Sequence, residues 1–385
     1  MANLSRRELL RAAPLAAAPL LVGRADAQSG STPPGMTVRM HEPRNLETPV
    51  DQLATGTEGV TSAEHFYVRS HFAQPKMDLS TWKLRVEGHV ETPVEFTLDD
   101  LKKLNGVKKT LTMECAGNGR VFLTPAARGL QWGFGGVGTA AWDGITLASV
   151  LEKAKPKKGA SDVVFIGADK GTIAADPSTP GPIHYDRSIP FDKAVKPETI
   201  LAWGMNGEGL TPAHGFPLRA VVGGWYGMAS VKWLTRIVVI DKPHTGYWQT
   251  FDYSYFTRTN DLPTMVPVTR MQPKAIITSH VEGCNVKSGV ETSVSGLAWS
   301  GEAAAKVVEL SADGEKTWTK VDLDTNADPF VWQRWSVKWT PKQTGPVKLL
   351  ARCTDSTGAT QPDKRDIDRR TYMINHLVPV EVGVR

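Results

Sequence analysis

The sequence is poor in cysteine, with Cys115, Cys284 and Cys353 the only three among 385 residues. So few thiols exclude a disulfide-rich scaffold. The sequence also lacks a Cys-x-x-Cys pair, a Cys-x-x-Cys-His haem attachment motif and a histidine pair at zinc-binding spacing. Cys284 and Cys353 could bridge two strands in an oxidising compartment, but we expect both to be buried free thiols.

Long apolar runs are also missing. No stretch approaches the roughly 20 apolar residues of a spanning helix, so no membrane span is expected after removal of the N-terminal signal described below. The net charge of +5 is small, and it falls to +3 without residues 1–27, which contain four arginines, one glutamate and one aspartate. The lysine clusters LKKLNGVKK and EKAKPKKG are therefore expected to be solvated faces, and nucleic acid is not an expected partner.

The N-terminal stretch SRRELLRAAPLAAAPLLVGRADAQ predicts an export signal of the twin-arginine type. It has paired arginines at Arg6 and Arg7, a weakly apolar run over residues 12–22, and a small-residue cleavage site that ends at Ala27. We expect residues 1–27 to be removed and the product to be periplasmic, with an uncleaved anchor as the alternative. This route carries folded proteins, typically with a cofactor already inserted, which favours a cofactor protein.

The remaining chain predicts an α+β fold. WKLRVEGHV alternates as a strand with one wet face, Thr97 and Asp100 have capping-box spacing before LDDLKKL, and TLASVLEKA is a second helix. DPSTPGPIHYDRSIP is expected to be a loop, whereas FPLRAVV and SVKWLTRIVVID are strands. Strands and helices mix without a βαβ rhythm, so we predict a mixed α+β domain over residues 36–265.

From about residue 270 the pattern changes to short strands separated by turns, with no strong helix. TSVSGLAWSG, RWSVKWT and PVKLLARCTDSTG are examples. We predict an immunoglobulin-like β-sandwich over residues 270–385, a structural or dimerising module.

The stretch TMECAGNGRVF places Cys115 at the end of a predicted half-buried strand. Leu111, Met113 and Cys115 fall on one face, and the face bearing Glu114 is expected to be wet. Glycines at 117 and 119 permit a sharp turn that presents backbone N–H groups. From these residues alone, Cys115 is a catalytic nucleophile, a ligand of a soft metal or a small hydrophobe at a strand end.

Other segments bring basic or polar residues to extended chain or tight turns. They are FYVRSHF with Arg69 and His71, HGFPLR with His214 and Arg219, SVKW with Lys232, and YWQTFDY with Tyr253. Arginines beside a thiolate would suit an anionic cofactor or substrate, because the guanidinium binds oxyanions bidentately and stays charged.

Seven short motifs occur in an order that resembles the sulfite oxidase family of molybdopterin enzymes. They are MECAGNGR, GLQW, TAAW, YDRSIP, HGFPLR, SVKWL and WQTFDY. The resemblance is to the bacterial sulfite dehydrogenase and sulfane dehydrogenase branch, and it covers nearly the whole chain after residue 27. It implies a molybdopterin-binding catalytic domain followed by the family's dimerisation domain.

The resemblance implies one molybdopterin-bound molybdenum per chain, with Cys115 as the thiolate ligand, and no haem in this chain. An acidic cofactor contact is expected in the loop after VVFIG, at Asp169 or Asp176. The positions that match the family's cofactor-binding residues are His71, His214, Arg219, Ser230 and Lys232.

For the substrate, the resemblance implies an oxyanion pocket. Arg69, Arg120 and Arg370 would hold the anion, Trp132 would form a wall, and Tyr253 would hydrogen-bond at the metal centre. Gly119 stands where animal enzymes have an arginine, so the basic rim differs there. Arg128 stands where those enzymes have lysine, which keeps the charge.

The implied activity is periplasmic oxidation of sulfite to sulfate, with electrons passed to a c-type cytochrome. A sulfane dehydrogenase subunit of a thiosulfate-oxidising complex is the main alternative. A sulfoxide reductase fits less well, because the C-terminal domain argues against it. An exported non-enzymatic binding module and a cysteine hydrolase are the remaining hypotheses, and the second lacks a recognisable Cys/His signature.

Overall fold

The computed structural model describes residues 32–324 and 328–385. The predicted export signal lies outside these residues. Within them, no helix combines the length and apolar character needed to cross a membrane.

The first part of the chain is rich in strands and contains three short helices. Its strands are β1 (Thr37–Met40), β2 (Asn45–Glu47), β3 (Leu84–Gly88), β4 (Val94–Phe96), β5 (Val107–Glu114), β6 (Val137–Thr146), β7 (Asp162–Gly171), β8 (Ile183–Pro190), β9 (Thr199–Met205), β10 (Glu208–Gly209), β11 (Arg219–Val222), β12 (Leu234–Ile240), β13 (Ser254–Thr259) and β14 (Leu262–Pro267). Its helices are α1 (Leu98–Lys102), α2 (Leu147–Ala154) and α3 (Phe191–Ala194).

Two five-stranded sheets dominate this part. One runs β10-β9-β6-β5, with β11 also paired to β9, and all its pairs are antiparallel. The other runs β4-β3-β12-β7-β8 and is mixed, because β3 and β12 pair in parallel. The predicted capping box before α1 is confirmed: the Thr97 side chain accepts from the N–H of Asp100, whose carboxylate accepts from the N–H of Thr97. β1–β2 and β13–β14 form two separate hairpins.

The C-terminal part is built from two further sheets. Its strands are β15 (Lys274–Ile277), β16 (Asn285–Val286), β17 (Thr292–Trp299), β18 (Ala305–Ser311), β19 (Thr319–Lys320), β20 (Asp322–Leu323), β21 (Gln333–Trp339), β22 (Gly345–Asp355) and β23 (Val380–Val384). The sheet orders are β15-β17-β21-β20 and β16-β23-β22-β18-β19. Val294, Leu349 and Val382 belong to a buried cluster that both sheets supply. Cys353 is buried and Cys284 only half-buried, and both thiols are free.

Two local predictions are wrong. The predicted loop DPSTPGPIHYDRSIP is a loop only in its first half, because its second half forms β8. The prolines at 177, 180 and 182 all precede that strand, and Pro190 ends it, so the ladder with β7 is intact over most of its length.

The second wrong prediction concerns the wet face of β5. Thr112 and Glu114 are buried, because the C-terminal part packs over this face. The backbone N–H of Trp332 donates to the Thr112 hydroxyl at 2.8 Å, and Thr112 donates its own N–H to the carbonyl of Phe330. Alternation along one strand could not reveal this cover, since the covering residues lie more than 150 residues further along the chain.

Candidate active site

A cavity with about 620 Å³ of space between its atoms, open solvent included, lies where the Cys115 turn meets loops from both large sheets. Nine of the predicted site residues line it: Arg69, His71, Cys115, Asp169, His214, Arg219, Ser230, Lys232 and Tyr253. They come from segments as far apart in sequence as residues 69 and 253, so the fold brings together what the sequence presents separately.

Cys115 follows β5 directly and is buried. Its backbone N–H donates to the carbonyl of Gly136 at 2.8 Å, and its carbonyl accepts from Asn118 at 2.9 Å. The Asn118 side chain in turn accepts from the N–H of Gly136 at 2.9 Å. Burial raises the pKa of the Cys115 thiol, while the guanidiniums of Arg69 and Arg120 oppose that rise. The turn thus fixes a thiol in a cationic setting.

The two glycines of this turn have different roles. Gly119 has φ of 95°, as predicted for a residue that reverses the chain. Gly117 instead leaves room for a side chain, because a Cβ there would stand 2.3 Å from a guanidinium nitrogen of Arg120. Arg120 therefore packs against the turn.

One wall of the cavity is cationic. Arg219 donates to the carbonyls of His214 at 3.2 Å and Ser230 at 3.1 Å, and Lys232 donates to the Ser70 hydroxyl at 3.0 Å and the Ala213 carbonyl at 2.9 Å. Burial lowers the pKa of Arg219 to about 10 and, with Arg219 nearby, that of Lys232 well below its usual value. Such a wall favours an anionic occupant, because an anion would raise the pKa of both groups again.

His214 is a neutral member of the same wall. Its Nε2 lies 3.0 Å from the carbonyl of Ala63. Burial, followed by the charges of Arg219 and Lys232, lowers the pKa of His214 to about 3. The imidazole therefore carries no charge near neutral pH and can offer only neutral hydrogen bonds.

Asp169 lines the cavity on β7, and its Oδ1 is buried without a hydrogen-bond partner. Burial raises its pKa to about 7, although Lys232 opposes the rise. A buried carboxylate oxygen left unpaired in this way calls for a donor from a ligand. Of the two aspartates predicted for this loop, Asp176 is exposed and does not line the cavity.

His71 and Tyr253 meet in the cavity lining. The His71 Nε2 and the Tyr253 hydroxyl lie 2.6 Å apart. The His71 ring stacks on Tyr185 at 4.3 Å between centroids and contacts Trp248 at 4.6 Å. Trp248 begins a single π-helical turn, Trp248–Asp252, which delivers Tyr253 to the cavity.

Arg69 is anchored at the start of the same segment as His71. Its Nη1 donates to the carbonyl of Ser70 and, at 3.4 Å, to the side-chain oxygen of Asn45. Asn45 also accepts the N–H of Ser70 at 2.9 Å. This bracing holds a guanidinium in the cavity lining beside Cys115.

Three predicted residues lie outside the cavity lining: Arg120, Arg370 and Trp132. Arg120 donates to the Thr371 hydroxyl at 2.6 Å and the Leu130 carbonyl at 2.8 Å. Arg370 donates to the Ser254 hydroxyl at 2.8 Å, and Trp132 is fully buried with its indole N–H unpaired.

Sequence reasoning missed several residues around the cavity. Ser70, between two predicted residues, holds Lys232, and Tyr185 supports His71. Arg187 is fully buried and donates to the carbonyls of Trp248 and Val268, both at 2.6 Å, so it braces the turn before Tyr253. Tyr185 and Arg187 fall in the segment predicted to be a loop, where strand alternation was hidden by the prolines.

The donor set fits a molybdopterin-type group. Among the described residues that line the cavity, Arg69, Arg219 and Lys232 supply cations, and Asp169 supplies the only carboxylate. The cations suit a phosphate, the unpaired Asp169 oxygen suits an N–H donor, and the Cys115 sulfur suits a soft metal.

Comparison with known proteins agrees with this chemistry. Residues 71–248 match the family described as oxidoreductase molybdopterin binding domain, and residues 263–383 match the Mo-co oxidoreductase dimerisation domain. The two matches together cover both large regions of the chain.

The chain is similar to animal sulfite oxidases. It is 32% identical over 348 residues to mitochondrial sulfite oxidase of Mus musculus. This alignment covers 86% of this chain and 62% of that protein. It is 31% identical over 366 residues to sulfite oxidase of Gallus gallus. This alignment covers 90% of this chain and 77% of that protein. The chain thus spans less than two thirds of the mouse protein.

Among solved structures, the sulfane dehydrogenase SoxCD from Paracoccus pantotrophus superposes with a TM-score of 0.75 and 27% sequence identity. The match covers 93% of this chain and 92% of that one. The chain belongs to the sulfite oxidase family of molybdopterin oxidoreductases.

Proposed function

We propose that this protein is a periplasmic, molybdenum-dependent sulfite dehydrogenase that passes electrons to a c-type cytochrome. The observation that carries the proposal is the convergence of the Cys115 thiol with Arg69, Arg219 and Lys232 around one solvent-open cavity. Membership of the sulfite oxidase family supplies the reaction class, and the N-terminal sequence supports export.

The cofactor would be held from several sides. Cys115 would be the thiolate ligand of the metal, and Arg219 and Lys232 would bind the pterin phosphate, with His214 and Ser230 nearby. Asp169 would accept hydrogen bonds from the pterin. When bound, the molybdenum group supplies oxygen transfer to sulfur and takes up two electrons, so that sulfite and water give sulfate, two protons and two electrons.

The protein's own residues would bind and orient the substrate. Arg69 holds a guanidinium beside Cys115, which favours a dianion next to the metal position. Two unit charges about 4 Å apart interact by roughly 4 kcal/mol at an effective dielectric near 20. Tyr253, with its hydroxyl against His71, can donate a proton to a hydrogen bond with an anionic oxygen. Arg120 and Arg370 lie outside the cavity lining, so they would have to leave the hydroxyls of Thr371 and Ser254 to reach the anion.

Sulfite-dependent reduction of ferricytochrome c tests this function. The protein would be purified from a host able to make the cofactor, and the molybdenum content would be measured on the same sample. Rapid turnover by molybdenum-loaded protein is the expected result. Full molybdenum loading without turnover on sulfite would refute the proposed substrate.

A second candidate, sulfane dehydrogenase, is favoured by the superposition on SoxCD over 93% of this chain. In that case the protein would act on a thiol-bound sulfur together with a cytochrome subunit. Assays of sulfite, thiosulfate and sulfoxides on the same loaded sample would separate these substrates. The C-terminal dimerisation domain further supports a homodimer, which analytical ultracentrifugation would test.

A further inference from the structure

A cluster of buried charge lies directly behind the Cys115 turn, away from the cavity. Glu114, the last residue of β5, has no exposed surface, and Lys274, the first residue of β15, is 1% exposed. The two side chains form an ion pair between the first part of the chain and the C-terminal part. Neither residue lines the cavity.

The pair sits in a hydrogen-bond network that spans the two parts. The Lys274 ammonium donates to Oε1 of Glu114 and, at 3.3 Å, to the carbonyl of Asn118. The indole of Trp299 on β17 donates to Oε2 of Glu114 at 2.9 Å. The Asn118 amide donates to Oε1 of Glu114 at 3.1 Å. Every carboxylate oxygen is thus paired.

The network leads to the sulfur through short steps. Asn118 accepts the N–H of Gly136, and the carbonyl of Gly136 accepts the N–H of Cys115. A second C-terminal contact comes from Met373, whose N–H donates to the carbonyl of Ala116 at 2.8 Å. The C-terminal part therefore contacts residues on both sides of Cys115: the Glu114 side chain before it, and the carbonyls of Ala116 and Asn118 after it.

A buried ion pair is a poor source of stability, because desolvation cancels much of its Coulomb attraction, whereas loss of one partner leaves an uncompensated charge. Such a pair acts instead through geometry, since both partners are satisfied in only one arrangement. We propose that Glu114 and Lys274 are positioning residues through which the C-terminal domain fixes the turn that carries the Cys115 thiol. The proposal rests on the proposed function only in taking Cys115 as the metal ligand.

This assignment gives the C-terminal domain a task besides pairing chains. Loss of the dimer and loss of the Glu114–Lys274 link would then have separate effects on the site. The test needs a variant that breaks the link and a matched control. Lys193 provides the control, because it is a buried lysine that also joins the two parts through Glu302, at 2.7 Å, and does not line the cavity.

The rate at which iodoacetamide alkylates Cys115 measures how easily the turn opens, and it requires no catalysis. The experiment uses the cofactor-free, full-length protein. Peptide mass spectrometry would follow Cys115, with Cys284 as the internal reference. Lys274→Met is expected to raise the Cys115 rate about tenfold relative to Cys284, because local opening becomes easier. Lys193→Met is expected to leave that ratio unchanged. An unchanged ratio in Lys274→Met would overturn the proposal.

If Lys274→Met does not fold, the double variant Glu114→Gln/Lys274→Met carries the same expectation, since it leaves no unpaired buried carboxylate. In the loaded enzyme, X-ray absorption at the molybdenum edge should show a weakened sulfur shell in the Lys274 variants and an unaltered one in Lys193→Met. An unchanged number of sulfur ligands at the molybdenum of loaded Cys115→Ser would refute the ligand assignment, whereas the alkylation result would still decide the positioning proposal.

Discussion

The Tyr253 hydroxyl and Nε2 of His71 lie 2.6 Å apart inside the cavity, and both groups are uncharged at neutral pH. Burial, with the nearby charges of Arg69 and Lys232, lowers the pKa of His71 well below its usual value. Burial also raises the pKa of Tyr253, so its hydroxyl keeps its proton. The hydroxyl proton of Tyr253 can therefore point toward Nε2 of His71 or toward an oxygen of the substrate.

Replacing Tyr253 with phenylalanine should lower kcat roughly 100-fold, because a positioned proton donor typically contributes a factor of this order or more. The fold should be retained, since only one hydroxyl is lost. Steady-state assays with sulfite would measure the effect. Tyr255→Phe, which alters a half-buried tyrosine on the neighbouring strand β13, is the matched control and should leave kcat unchanged. Equal kcat values for both variants would contradict a role for the Tyr253 hydroxyl.

Arg69→Gln should lower kcat/KM for sulfite by roughly 30- to 150-fold, which corresponds to the loss of about 2–3 kcal/mol from a hydrogen bond to a charged group. The neutral amide of the glutamine side chain cannot balance the negative charge of the sulfite dianion. Arg85→Gln, on the exposed face of β3, should have no effect. A kcat/KM for sulfite equal to that of the unaltered enzyme would place the anion elsewhere.

Much of the cavity could be predicted because its residues occur in short motifs. His214, Arg219 and Lys232 stand in stretches whose order resembles a known family, Arg69 and His71 share the short stretch FYVRSHF, and the structure brings all five to one cavity. Their hydrogen-bond partners could not be predicted in the same way. Several are backbone carbonyls, which a sequence does not distinguish, and the Asn45 side chain that holds Arg69 lies outside the motifs.

The burial of Glu114 shows the limit of reasoning from one strand. Alternation placed it on a wet face, but Lys274 and Trp299, which lie more than 150 residues away in sequence, cover it. The strand β8 was missed for a similar reason, since its ladder with β7 outweighs the prolines before it. Burial of a residue by elements that are distant in sequence leaves no trace in the sequence around that residue.

Cys115→Ser should abolish sulfite-dependent activity and remove one sulfur from the ligands of the molybdenum, because a hydroxyl is a much poorer ligand for a soft metal than a thiolate. The thermal unfolding midpoint of the cofactor-free protein should change little, since the substitution is nearly isosteric. Steady-state assays with sulfite would measure the first effect, and X-ray absorption at the molybdenum edge would measure the second. Cys284→Ser is the control, because that thiol is half-buried and does not line the cavity. Full activity of Cys115→Ser would refute the cofactor assignment.

Substitution of Arg6 and Arg7 by lysine should block export, because the paired arginines define the predicted signal. The precursor should then accumulate in the cytoplasm. Fractionation and N-terminal sequencing of the exported protein would check the result, with a start at Gln28 expected. Lysine substitution at Arg11 and Arg24 is the control and should leave export intact.

His214 should make the cofactor-free protein less stable in acid. Its pKa is about 3 in the folded state against an ordinary value of 6.5, so the unfolded chain binds the extra proton as the pH falls below 6.5. Between pH 7.5 and 5.0 this linkage should remove about 2 kcal/mol from the free energy of unfolding. Asp169, whose pKa is raised to about 7, has the opposite sign and gains stability over much of the same range. Urea unfolding of the unaltered protein and of His214→Gln isolates the histidine, since Asp169 contributes equally to both. Relative to the variant, the unaltered protein should lose about 2 kcal/mol more over this interval, and parallel pH dependences would show that His214 is not buried as a neutral imidazole.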